Sequence, residues 1–284
     1  MTPAKGSDTL IIQAFVNQTT PEWIQRCLDS VRKWAGIHRY DYSLAGDEFY
    51  DLCGQEFLSR GRKNPRAITN LARLVATRQQ LDAGYRQVIW MDADVFVFNP
   101  EKLIFDFPAE RLTAGYAFGR EVWVDRGRLG ILRAWRPRAH NAATLFTQSA
   151  VDLDTLIALI RHIDSSREMT SNYQLGVGLL RGLQYSLMFQ TFSHVGAFSP
   201  ILIRALARRN KRLLRFYARA YRYQQYAANL CLSFIDRTKE DVLWSAMDQL
   251  ESGSGDVINK YVTETGVHLV PYDDDAKLKR LYFG

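Results

Sequence analysis

Two carboxylates, Asp92 and Asp94, flank Ala93 at the point where the apolar run Val88-Ile89-Trp90-Met91 gives out. In extended backbone, residues two apart face the same side. Two bare carboxylates held together repel each other, and burying them costs solvation energy. A divalent cation relieves both penalties, and hard oxygen donors suit Mg²⁺ or Mn²⁺, with water and phosphate oxygens filling the remaining positions. Ala93 is small enough to let the backbone approach a ligand. The ordinary setting of an Asp-x-Asp triplet is a solvated turn. Here apolar residues resume at once with Val95-Phe96-Val97-Phe98 before Asn99-Pro100 breaks the chain, which argues against a plain surface loop.

The surrounding pattern supplies elements to position such a pair. Residues 9–16 read as a buried strand. Thr20 and Pro21 then mark a helix start, followed by a helix over 22–35 with Ile24, Cys27, Leu28 and Val31 on one side, and a strand over 40–45. A β-α-β opening of this kind begins parallel nucleotide-binding sheets, which bind ligands at the carboxyl ends of their strands. A helix over 66–83, with Ile68, Leu71, Leu74, Val75 and Leu81 as its core stripe, leads into the strand that ends at the aspartates. Further strands are expected over 113–118, 142–146 and 267–270. Further helices are expected over 153–163, 174–183, 200–232, 237–250 and 256–263.

The stretch Ile89-Trp90-Met91-Asp92-Ala93-Asp94-Val95-Phe96-Val97 resembles the DxD motif of GT-A-fold glycosyltransferases, in particular glycogenin, bacterial lipopolysaccharide galactosyltransferases and the DXD sugar-binding transferases. The resemblance covers residues 9–100 best and thins over 140–195. It implies an α/β, GT-A-like nucleotide-diphospho-sugar transferase fold with a mostly parallel central sheet. The catalytic domain would span 1–199, and 200–284 would be a helical extension packed on it. It also implies a retaining hexosyl transfer, dependent on Mn²⁺ or Mg²⁺, from a nucleotide-sugar to a glycan or lipid-linked acceptor, with UDP ahead of GDP as the donor nucleotide. The segment Thr69-Asn70-Leu71-Ala72-Arg73-Leu74 is similar to the family helix that carries an arginine to the donor, which makes Arg73 a donor contact; Asn70 stands where many relatives have aspartate. By the same resemblance Ala14, Phe15 and Asn17, at the end of the first strand, touch the nucleotide base, Ala93 lies against the donor, and Asn141 faces the donor sugar. Gln174 falls in a later sugar-facing loop, where the usual acidic neighbour is missing. A histidine would complete the metal shell, His194 first and His268 second.

A second cationic feature lies near the C-terminus. Arg204, Arg208, Lys211, Arg215, Arg219 and Arg222 recur at spacings of three and four, with Leu202, Leu206, Leu213, Tyr217 and Ala220 opposite them, and no acidic residue occurs from Pro200 to Phe234. On one helix this makes a basic amphipathic face, with like charges repelling by about 0.2–0.5 kcal/mol per pair. It reads either as a solvated helix packed by its leucines or as a face for an anionic membrane or a pyrophosphate-linked lipid acceptor. The net charge of +7 over 284 residues favours anionic partners in general.

Composition sets the rest. Hydrophobic residues at 47% and charged residues at 24% suit a globular chain with a sizeable core. No apolar run reaches the ~18–20 residues of a membrane span, and no leader peptide is expected. Cys27, Cys53 and Cys231 are scattered and odd in number, which fits a reducing, cytoplasmic setting, peripheral to the inner membrane face if the basic helix docks there. Two other classes remain open. A HAD-like phosphatase also ends a strand in Asp-x-Asp, and Asp273-Asp274-Asp275 would be its later acidic group. A non-catalytic basic nucleotide or nucleic-acid binder lacks any RNP, zinc or helix-turn-helix signature, so no nucleic-acid partner is expected.

Overall fold

The computed structural model describes residues 6–15, 20–61, 65–127, 130–166, 177–184, 187, 189–231, 238–253 and 255–271. Strand β1 (Thr9–Ala14) leads through helix α1 (Glu22–Ile37) to β2 (Asp41–Ala45), and α2 (Gln55–Gly61) and α3 (Pro65–Asp82) follow. Next come β3 (Gln87–Met91), β4 (Val95–Val97), β5 (Tyr116–Glu121), β6 (Val124–Arg126), β7 (Leu132–Ala134), β8 (Arg138–Thr147), helices α4 (Leu153–Ser166) and α5 (Val177–Gln184), β9 (Thr191–Phe192) and β10 (Val195–Ala197). The C-terminal third holds α6 (Pro200–Ala207), α7 (Lys211–Tyr221), β11 (Ala227–Asn229), α8 (Glu240–Ser252), α9 (Asp256–Asn259) and β12 (Leu269–Val270).

Seven strands form the central sheet in the order β12-β9-β5-β8-β3-β1-β2. Strands β1, β2 and β3 pair in parallel, β8 runs against both β3 and β5, β9 runs with β5, and β12 runs against β9. Five strands (β2, β1, β3, β5 and β9) therefore share one direction, and the fold is α/β with a mixed, mostly parallel sheet. Both faces are covered, which is why the inner strands read as continuous apolar runs. Leu10, Ile12, Val88 and Trp90 pack on one face with Leu71 and Leu74 of α3 and Leu153 of α4; Ile11, Ile89 and Met91 pack on the other with Val31 and Trp34 of α1. Trp34 is fully buried, and its indole N–H donates to the Leu103 carbonyl at 2.7 Å, so its polar edge is satisfied.

Several expected boundaries move. Helix α1 starts at Glu22 as expected and runs two residues past Ala35 to Ile37, with Pro21 rather than Thr20 at the cap position. The expected long helix over 200–232 is three elements. The chain turns at Arg208-Arg209-Asn210, where Arg209 has φ 50° and the Asn210 side chain accepts from the Leu213 N–H, capping α7. Arg222, at φ 75°, ends α7, and the chain becomes extended as β11. The turn lets Leu202 and Leu206 of α6 and Leu213 and Leu214 of α7 all enter one core, which a straight helix would not do. Strand β11 pairs in parallel with β10 and antiparallel with β4, completing a second, three-stranded sheet. Residues 200–271 thus add helices and also strands, β11 and β12, to sheets whose other members precede residue 200.

Candidate functional site

Strand β3 delivers the aspartates to the carboxyl end of the parallel β2-β1-β3 group. There the chain turns sharply: the Val95 N–H donates to the Asp92 carbonyl at 3.0 Å, so Asp92-Ala93-Asp94 is a tight turn joining the central sheet to β4. The expectation of one extended face is corrected by this. β4 must leave the large sheet to pair with β11, and the turn gives each carboxylate its own partners. The turn is anchored from three sides. Asp92 N–H donates to the Ala142 carbonyl at 2.7 Å, Gln13 Nε2 donates to the Asp92 carbonyl at 3.2 Å, and the Leu230 N–H donates to the Asp94 carbonyl at 2.9 Å.

Asp92 is the more open of the two, its side chain 25% exposed. Trp90 Nε1 donates to its Oδ1 at 2.6 Å, and Arg73 reaches the same oxygen at 3.1 Å. Trp90 and Asp92 are two residues apart at the strand end, and Arg73 comes from α3, which packs on that face. The guanidinium also lies 5.2 Å from the Trp90 ring centre and donates to the Asn141 carbonyl. Asn141 Nδ2 in turn donates to Asn70 Oδ1 at 2.9 Å. Helix α3 and strand β8 thereby bring Arg73, Asn70, Asn141 and Asp92 together. A cavity of about 30 Å³, room for a water or two, opens beside Asn70, Arg73 and Asn141, lined also by Phe118, Leu180 and Thr144.

Asp94 is buried and accepts from Asn229 Nδ2 at 2.5 Å. Asn229 Oδ1 accepts from the Cys231 N–H at 2.8 Å. Burial pushes the Cys231 thiol well up, with smaller contributions from the negative charges of Asp94, Glu121 and Asp92. Glu121 is itself bonded to Arg138. His140, one residue before Asn141, is fully enclosed; burial lowers its pKa, with partial relief from Glu121. Its Nδ1 accepts from the Ala142 N–H, which leaves Nε2 to donate to the Val195 carbonyl at 3.3 Å.

The other expected residues divide. Ala14 and Phe15 stand at the end of β1 beside this turn, Phe15 N–H donating to the Ala45 carbonyl, and Ala93 is nearly buried in the core under β4. Asn17, Gln174 and Asp273-Asp274-Asp275 lie outside the described residues. His194 does not join the aspartates. Its ring is caged by Phe105, Phe107 and Phe192 at 4.4–5.8 Å between ring centres, and burial lowers its pKa to about 3. His268 bonds the Thr265 carbonyl and packs on Tyr223. Among the described residues no cluster of three or more His, Cys, Asp and Glu side chains is placed to hold a metal ion. Gln13, Asn229, Glu121 and Arg138 were not anticipated. Gln13 interrupts an apolar strand and so carried a signal; Asn229 was hidden inside the expected long helix.

The six basic residues do not share one helix. Arg204 lies on α6 and Arg208 at its end; Lys211, Arg215 and Arg219 are exposed on α7; Arg222 contacts Glu264 at 3.5 Å. Among the described residues no helix is long and apolar enough to cross a membrane. No family model and no curated protein matches the chain. A solved structure described as "Crystal structure of a glycosyltransferase involved in the glycosylation of the major capsid of PBCV-1" is similar at 13% identity, covering 57% of this chain and 67% of that one, with a TM-score of 0.32, a likeness too loose to assign a family.

Proposed function

We propose that the chain is a metal-dependent glycosyltransferase acting on a nucleotide-sugar, with the Asp92-Ala93-Asp94 turn as its donor site. The observation that supports this reading best is the convergence of Arg73, Asn141 and Asp92 at the carboxyl end of a parallel β-α-β group, where α/β sheets bind nucleotides. The donor set fits a hard cation held by one or two carboxylates and completed by phosphate oxygens and water, the usual arrangement for Mg²⁺ or Mn²⁺, and does not require a third protein ligand. Asp92 and Asp94 would hold the cation, which when bound neutralises charge on the leaving diphosphate. Arg73, fixed by the Trp90 ring and the Asn141 carbonyl, adds a second positive charge facing the same region. Fixed charges of this kind favour a leaving group whose charge grows as the glycosidic bond breaks. Ala14 and Phe15 border the base side, and Asn141 the sugar side.

The test is a thermal-shift and turnover panel of UDP- and GDP-sugars with and without Mn²⁺. Stabilisation by one nucleotide only when metal is present supports the reading. Asp92→Asn and Asp94→Asn should each lower metal-dependent turnover at least ~100-fold, as expected for losing a transition-state charge contact, with far-UV circular dichroism unchanged. Full activity in both variants rejects the assignment, and phosphate release from simple phosphomonoesters would favour a phosphatase instead.

A further inference from the structure

Strands β6 and β7 form a two-stranded sheet of their own, and its two faces differ. Successive strand residues point to opposite faces. Val124, Leu132 and Ala134 face inward and pack in or against the apolar cluster that holds Leu202, Leu206 and Leu213. Ile131, Arg133 and Trp135 alternate with them and are exposed, Ile131 at 66% and Trp135 at 44%. Three side chains lock this outer face. Asp125 stands opposite Arg133 across the ladder and takes its guanidinium at 2.5 Å. The Trp135 indole N–H donates to the same carboxylate at 2.9 Å, and the Arg133 guanidinium lies 4.5 Å from the Trp135 ring centre. The one polar atom of the Trp135 side chain is therefore satisfied within the hairpin, and its ring can leave water without losing a hydrogen bond.

The surface beside the hairpin is cationic. Arg126 of the hairpin and Arg208, at the corner where α6 turns into α7, line one groove. Lys211, Arg212, Arg215 and Arg219 continue along the exposed side of α7. No acidic residue lies between Pro200 and Phe234 to offset them. Apolar residues exposed singly are ordinary on a protein surface. An isoleucine and a fixed tryptophan on one strand face, bordered by a basic surface, suit the boundary of an anionic bilayer: the apolar groups enter the acyl margin, the indole sits at headgroup level, and the cations meet the lipid charges. We propose that the outer face of the β6–β7 hairpin, with the adjoining α6–α7 corner, docks peripherally on an anionic lipid membrane. Docking of this kind needs neither Asp92 nor a nucleotide, and it draws on the basic residues as one surface although they do not share one helix.

The experiment is sedimentation of the full chain with phosphatidylcholine vesicles containing or lacking phosphatidylserine. The chain should pellet with the first and stay in solution with the second. Raising the salt from about 0.1 M to 1 M, which shortens the screening length from ~10 Å to ~3 Å, should release it. Ile131→Ser should weaken affinity for the anionic vesicles about tenfold by removing an inserted side chain. Lys211→Gln and Arg212→Gln should each weaken it about fivefold, the share of one basic residue near an acidic leaflet. All three side chains are exposed, so these variants should melt like the parent. Anionic vesicles with brominated acyl chains should quench part of the tryptophan fluorescence of the parent but not of Trp135→Phe, a difference that adsorption through charge alone would not produce. Asp92→Asn should sediment like the parent, so failure of docking and failure of the donor site are read separately. Absence of pelleting, pelleting that does not depend on phosphatidylserine, or affinity and quenching that the two hairpin variants leave unchanged overturns the proposal.

Discussion

At the scale of single residues, the buried histidines give a sharp distinction. The His194 ring sits among three phenylalanines, with no hydrogen-bond partner for either nitrogen among the described residues, and its folded pKa of about 3 lies below the ordinary 6.5. Between those values the unfolded chain binds a proton that the folded chain refuses. Stability is therefore fully present above pH 6.5 and falls as the pH drops towards 3, with a slope of at most about 1.4 kcal/mol per pH unit from this one group. His194→Phe should flatten that acid limb in urea titrations run at several pH values. It should also leave Mn²⁺-dependent nucleotide binding unchanged. Loss of metal dependence in this variant would restore the histidine to the metal shell.

At the scale of elements, two local devices hold the site in shape. The β5–β8 ladder shifts register between Phe118 and Gly119, and a methyl group added at Gly119 would sit 2.3 Å from His140 Nε2. That ring bridges the two sheets, from Ala142 on β8 to Val195 on β10. Gly119→Ala must displace it, at a cost of about 1–3 kcal/mol, readable as a lower urea midpoint with an unchanged slope. The second device is the α6–α7 corner. Asn210 caps α7 at the one place where two leucine-bearing helices change direction. Asn210→Ala should cost about 1 kcal/mol by losing that cap, readable as a lower urea midpoint with an unchanged slope.

At the scale of the whole molecule, the C-terminal third is threaded into what precedes it. One apolar cluster joins Trp23 and Ile24 of α1, Phe96 and Phe98 near β4, Leu202 and Leu206 of α6, and Leu243 and Met247 of α8. Strand β11 is hydrogen bonded to β4, and Asn229 at its end holds the buried Asp94. A chain ending at residue 199 would expose that cluster and leave β4 without its partner. It should show no cooperative thermal transition and should be cut rapidly by protease under conditions where the full chain resists.

The order β-α-β, the helix over α3, and the strand that stops at Asp92 were legible in the sequence because each depends on local periodicity. A short continuous apolar run bounded by polar residues reads as a buried strand, and the stripe through Ile68, Leu71 and Leu74 makes one helix face. Arg73 and Asn141 became candidates through the family resemblance, and the local pattern set only the elements that carry them. Where the chain would turn was not legible. The spacing of Arg204 to Arg222 suits a helix from end to end, and only the pull of the core on Leu206 and Leu213, together with the edges of β4 and β10, breaks it and draws residues 227–229 into a sheet. The same pairing bends Asp92-Ala93-Asp94 out of extended backbone. Local sequence determined which side chains are present and on which face of their own element they stand; which carboxylate stays open, and which is tied to an asparagine 135 positions away, was decided by non-local burial and strand pairing.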